Sequence, residues 1–319
     1  MKNFRAAKLS LLVVFTLFLT FGSVFGQVKG VAITPLSFEF EAERGDVIEG
    51  VIKVANSSEE NYTAIEMQAE DMLPQGEEGR VSLVRNTNED NPEMDVISMA
   101  RWIEFDEKEF QLDPKEEREV SFTISVPQNA SPGGHYAGII AGIPSGEVEG
   151  GGVGVTQRVA ATTLLTIDGE MIEELSVDSF ETTKNYYEGG PITFESRFKN
   201  TGTVHLTPKA KITVTDFKGR EVANLDLVES IVLPNAIRKV TTNWDAGRLW
   251  GGKYTAKLSG VYGTDNQPLE VKEITFYAFP WKIALAGLLL VIFFILTRKR
   301  WYTIVKILIK GEAALKEEE

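Results

Sequence analysis

The chain has 319 residues, of which 43% are apolar and 25% charged; this length suits two folded domains, and the composition excludes wholesale disorder. It holds no cysteine and only two histidines, His135 and His205, which excludes a disulfide framework, a thiolate metal site and a cysteine nucleophile. A formal net charge of -13 weighs against nucleic acid as a partner, because phosphate recognition needs a surplus of Lys and Arg.

The amino terminus places Lys2, Arg5 and Lys8 ahead of an uncharged stretch from Leu9 to Phe25. A basic head and a short apolar segment describe a secretory signal over residues 1–26, cleaved after Gly26; an uncleaved anchor is the alternative. The next region, 27–169, reads as a first β-sandwich. Ile48 to Asn56, IEGVIKVAN, is a strand ending at an Asn turn, and Val120, Phe122, Ile124 and Val126 alternate with Ser121, Thr123 and Ser125. Between these strands an insertion near 71–101 contains the acidic run NTNEDNPEMD, Asn86 to Asp95. It has oxygens enough for Ca²⁺ but lacks the ordered spacing and glycine of an EF-hand loop, so a solvated insertion is the simpler reading. Asn56, Asn61 and Asn129 lie in N-x-[ST] sequons, a pattern of surface positions.

GGHYAG, Gly133 to Gly138, opens a late strand in which Tyr136 has the setting of a tyrosine corner, with a ligand-stacking tyrosine as the alternative. SGEVEGGGVG, Ser145 to Gly154, joins two strands. Its charges are Glu147 and Glu149 beside Gly150, Gly151 and Gly152, which rules out a phosphate cradle and leaves a hairpin tip or a partner-contacting loop.

The second sandwich, 170–278, echoes the first. ITFESRFKN, Ile192 to Asn200, repeats the strand ending at Asn, and Leu233-Pro234 stands where Leu112-Asp113-Pro114 stands before. GGKYTA, Gly251 to Ala256, repeats the glycine-opened strand with Tyr254 as the second corner. Trp102, Phe105, Trp244 and Trp250 are core fillers or exposed anchors; Trp250, flanked by Arg248 and Gly251, is the one placed to reach a partner in solvent. His135 and His205 fall in different domains as surface or edge residues, and no G-x-S-x-G elbow occurs, so neither a metal, a cofactor nor enzymatic activity is expected.

IALAGLLLVIFFILT, Ile283 to Thr297, anchors a transmembrane helix over 279–297, with Tyr277, Phe279 and Trp281 at the outer aromatic belt. Arg298, Lys299 and Arg300 place the tail, 298–319, in the cytoplasm and the sandwiches outside a cell membrane crossed once. WYTIVKILIK could lie along the inner membrane face. Residues 27–279 hold 23 basic against 42 acidic residues, a net of -19, which opposes simple electrostatic docking to anionic wall polymers.

ITPLSFEFEAERGDVIEGVIKVANSS, Ile33 to Ser58, and SVPQNASPGGHYAGIIAGI, Ser125 to Ile143, resemble the first domain of the WxL-interacting proteins of bacterial cell surfaces and, more broadly, pilus-chaperone-like sandwiches. The resemblance covers about residues 30–168 and implies peptidoglycan binding by the first domain and a partner-binding second domain; it carries no catalytic motif. The expectation is an all-β protein of two tandem immunoglobulin-like β-sandwiches plus one C-terminal transmembrane helix. It would bind cell-wall polymer (peptidoglycan) or another surface protein, with a structural or chaperone-like part in an envelope assembly as the alternative and a hydrolase third.

Overall fold

The computed structural model describes residues 30–85, 97–144, 157–247, 249 and 251–316. They form two compact units. The first gathers the chain up to Met72 with Leu83–Ala130 and Tyr136–Leu165; the second gathers Leu73–Ser82, Ser131–His135 and everything from Thr166. The division is thus discontinuous, whereas the sequence suggests one cut near residue 169.

The first sandwich comprises β1 (Val31–Thr34), β2 (Ser37–Ala42), β3 (Val47–Asn56), β4 (Thr63–Gln75), β5 (Arg80–Val84), β6 (Ile103–Phe105), β7 (Glu109–Leu112), β8 (Glu117–Ser125), β9 (Gly133–Gly142) and β10 (Arg158–Ile167), of which Leu73–Gln75, Arg80–Ser82, Gly133–His135 and Thr166–Ile167 are grouped with the second unit. One sheet runs β1-β3-β8-β6 and the other β2-β10-β9-β4-β5, with β7 against β4. The first strand region is shared between the sheets, β1 in one and β2 in the other, which is immunoglobulin-type topology. Alternation decides the faces: Ile52 and Val54 are buried while Val51 and Lys53 are exposed, and Val120, Phe122 and Ile124 fill the same core. The expected insertion is in part a sheet hairpin, since Asp71 to Gln75 prolong β4 and β5 returns along it.

The second unit contains β11 (Leu175–Thr182), β12 (Tyr186–Tyr187), β13 (Ile192–Asn200), β14 (Lys209–Thr215), β15 (Glu221–Asp226), β16 (Ile237–Trp244), β17 (Gly252–Tyr262), β18 (Gln267–Pro268) and β19 (Lys272–Ala278). Its sheets run β11-β13-β16 and β12-β19-β17-β14-β15, with β18 on β17. The order repeats that of the first unit less a counterpart of β6. Its core is aromatic: Phe276 lies against Tyr187, Phe194 and Tyr254, with centroids 5.7, 6.0 and 5.5 Å away.

The helix α1 runs unbroken for 36 residues, Trp281–Lys316. Its stretch Trp281–Arg298 is long and apolar enough to cross a membrane, and none of that stretch is buried in protein. It starts two residues later than the expected span, after Pro280, and continues through Arg298-Lys299-Arg300 without the break that a separate surface-lying tail helix would need.

Candidate functional site

The strands fix where the sequence-derived candidates fall. Glu147, Glu149, Gly150, Gly151, Gly152 and Trp250 lie outside the described residues. The strands bracketing the glycine-rich segment are β9 and β10, neighbours in one sheet, and Ile143 N–H donates to the Gln157 carbonyl at 3.0 Å. Tyr136 and Tyr254 are both buried, each near the start of the corresponding strand, β9 and β17. Both strands open on a glycine of positive φ, 117° at Gly133 and 148° at Gly252, a backbone that a side chain would strain. Arg298 is exposed at the end of the apolar stretch, and Lys299 and Arg300 continue the helix.

Two surface assignments need correction. His135 is buried, with Nε2 2.9 Å from the Ser131 carbonyl, so it ties down the turn before β9. Asn56 is buried as well, although Asn61 and Asn129 are exposed. The Asn56 Nδ2 donates to the carbonyls of Asn61, Leu112 and Asp113 at 2.9, 3.3 and 3.0 Å, and Oδ1 accepts the Ser58 N–H at 3.0 Å. The sequon is occupied by structure, not offered to solvent. His205 is half-buried in the bend before β14, not on a strand.

Sequence reasoning misses a buried acidic pair on the first unit's outer sheet. Glu70 reaches across β9 from β4 to Arg158 on β10 at 2.5 Å, with Arg85 Nε at 3.6 Å. The intervening strand is tightly covered at its glycines: a Cβ on Gly138 would fall 2.6 Å from Leu83, and one on Gly142 3.4 Å from Arg158. The adjacent Asp71 accepts from Ser98 Oγ at 2.6 Å and from the Ala100 N–H at 3.0 Å, holding the return of the chain toward β6. These carboxylates are engaged in structure, and among the described residues no group of three His, Asp or Glu is arranged to hold a metal.

What the second unit exposes is backbone. One of its edges is occupied: the Lys239 N–H on β16 donates to the Glu77 carbonyl at 2.7 Å. Flanking ion pairs secure that contact, Arg197 with Glu77 at 2.7 Å and Lys239 with Glu78 at 2.7 Å. The hydrogen bond that Arg197 donates to Glu77 raises the guanidinium above its ordinary value, and the one that Lys239 donates to Glu78 lowers the Glu78 carboxyl while raising the Lys239 ammonium. By contrast β15, at the end of the other sheet, pairs with β14 on one side and with no strand on the other among the described residues. Val222 on this strand is 42% exposed, and the loop that follows presents Val228 at 72% and Ile231 at 41%. An open strand edge with apolar side chains beside it can accept a further strand, backbone to backbone.

No family model matches the chain, and no curated protein matches it. Solved structures similar to it include the SafB chaperone of Salmonella enterica in complex with the SafA pilin, at 10% identity, covering 77% of this chain and 96% of that one, with a TM-score of 0.36. Others are the E. coli chaperone DraB, at 10% identity over 77% and 98% with a TM-score of 0.33, and the Pseudomonas aeruginosa CupB2 chaperone, at 9% over 77% and 99% with 0.33. Likeness at this level says nothing of what the present chain binds.

Proposed function

We propose that the protein is a membrane-anchored, non-enzymatic component of an extracytoplasmic assembly, and that it binds a polypeptide partner by strand addition at β15. The observation that carries this reading is the contrast between two of the second unit's four edge strands: β16 already holds a segment of chain through a backbone bond and flanking ion pairs, while β15 stands open beside exposed Val222 and Val228. A chaperone-like part in assembly is one use of such an edge. The apolar helix supports anchoring, and the exterior net charge of -19 favours a basic partner over an anionic wall polymer. A resemblance to WxL-interacting proteins is carried by the segments Ile33 to Ser58 and Ser125 to Ile143 alone.

The test is site-specific photo-crosslinking in whole cells from a probe at Val222 or Val228, with Glu49 on the first unit's other sheet as control. The expected result is a discrete protein adduct from the first two positions, absent from Glu49 and lost in Asn224→Pro. Retention of the full-length protein on purified peptidoglycan, equal in parent and Asn224→Pro, with no adduct from Val222 or Val228, would replace this reading with wall-polymer binding.

A further inference from the structure

The rim of the second unit's sandwich where α1 leaves it carries a cluster of exposed aromatic residues. Tyr186 on β12 pairs in register with Tyr277 on β19 and stacks on it, centroids 5.7 Å apart, with 71% of Tyr186 exposed. Phe279 and Trp281 follow directly, 58% and 51% exposed. A second element arrives from elsewhere in the chain. The turn after β14 presents Phe217, 61% exposed, and a Cβ on Gly252 would lie 3.1 Å from its ring. Gly252 in turn pairs with Ala278, two residues ahead of Pro280, so the Phe217 turn sits beside the helix exit.

Rings of this kind are costly to leave in water, and nothing in the second unit's core needs them: that core is closed by Phe194, Tyr254 and Phe276. Each flank bears a cation over a ring, Lys218 at 5.4 Å from the Phe217 centroid and Lys282 at 5.7 Å from that of Trp281. Residues 184–188, 216–220 and 277–282 together hold four basic side chains and two acidic ones, on an exterior that is otherwise strongly acidic. Both acids are paired locally, Glu188 with Lys282 at 2.9 Å and Asp216 with Arg220 at 2.6 Å. Aromatic rings with basic neighbours at the mouth of an apolar helix match the headgroup layer of a bilayer, where amphipathic rings and Lys or Arg collect.

We infer that this rim is a membrane-contacting collar, in which the Phe217-Lys218 turn and Tyr186 rest in the outer headgroup layer together with Phe279 and Trp281. The inference rests on the anchored reading of α1 and goes beyond it, since a helix alone would leave the turn after β14 in water.

The absence of cysteine makes the test direct. The full chain is reconstituted in phosphatidylcholine–phosphatidylglycerol vesicles with a single nitroxide introduced by Tyr186→Cys, Lys218→Cys, Val228→Cys or Val291→Cys, and its depth is read from relative collision rates with oxygen and a water-soluble nickel chelate. Val228 lies past the far end of β15, about 20 Å along the strand from the turn. The collar predicts headgroup depth at 186 and 218, water at 228 and hydrocarbon at 291. Labels at 186 and 218 as wet as the one at 228, with 291 still in hydrocarbon, overturn the collar and leave the anchor standing. A wet label at 291 overturns both.

Discussion

The strand β3 ends at Asn56 and β13 ends at Asn200, and the chain treats both ends alike up to one turn. Each Asn sends its backbone N–H to the turn before the next strand of the sheet, Asn56 to the Glu116 carbonyl at 2.9 Å and Asn200 to the Ala236 carbonyl at 3.1 Å. Each buried amide then binds one carbonyl a few residues on and at least one far along the chain; Asn200 Nδ2 reaches Val204 and Val232, both at 2.8 Å, while Oδ1 accepts the Gly202 N–H at 2.8 Å. The turns themselves share a left-handed residue, Lys115 at φ 61° and Asn235 at φ 57°. Chemistry separates them there: Asn tolerates that backbone, whereas Lys does so at a cost. The first turn has an acid in compensation, Glu116, which accepts the Asp113 N–H at 2.7 Å and pairs with Arg118 at 2.9 Å; the second has Ala236 at that place. The shared part of the lock is thus the buried amide, and the turn is where the two sandwiches differ.

The largest effect expected from breaking this comparison comes from the amides. Asn56→Ala and Asn200→Ala each remove a buried amide's bonds to two or more carbonyls and leave a buried backbone N–H, of Ser58 or Gly202, without its acceptor, and each should cost about 2–4 kcal/mol. Denaturant unfolding, with hydrogen exchange to locate the loss to β3 or β13, measures it; if one substitution is tolerated and the other is not, the two locks are not equivalent. A smaller gain should follow from making the turns alike. Lys115→Asn is expected to stabilise the first unit by roughly 0.5 kcal/mol, less whatever its exposed pair with Glu59 contributes, and Asn235→Lys to do the reverse in the second.

The smallest effect is the response to acid, and it should be one-sided. The Asp113 N–H, and then Arg118, hold the Glu116 carboxyl below its ordinary value. A carboxyl depressed by folding contributes stability that is complete above its unfolded pKa, about 4.3, and that is lost as pH falls through the lower folded value. Thermal unfolding followed from neutral pH to pH 3 should therefore show the parent losing more than Glu116→Gln below about pH 4.5. An equal slope in the two proteins would mean that Glu116 does not help to hold the turn.

Much of this fold was legible because its signals are local. Period-two alternation in Val120 to Val126 and Ile192 to Phe198, the Asn at the end of each strand, and the glycine-opened strands with Tyr136 and Tyr254 all show within a few residues. What stayed hidden depends on partners distant in the chain. Glu70 looks like a surface acid until Arg158, 88 residues later, closes over it, and Asn56 looks like a sequon until Leu112 and Asp113 arrive. The stretch Asp71 to Gln75, DMLPQ, lacks alternation and contains a proline, so it gives no sign that it prolongs β4. The open edge of β15 is equally invisible, because whether a strand is central or terminal depends on sheet order and not on its own residues. Phe217 and Tyr186, 31 positions apart, reach one rim only through the pairing of β12, β14, β17 and β19.

The unbroken helix has a mechanical meaning. At 1.5 Å per residue its 36 residues make a rod of about 54 Å, well beyond the roughly 30 Å that the oily layer takes up. Its first turn is pinned to the sandwich by the Lys282–Glu188 pair, and no proline interrupts the rest. On the anchored reading proposed above, such a shaft would have no proline hinge in which a pull or a twist applied by a partner could be dissipated, so load taken on one side of the bilayer would be delivered to the other.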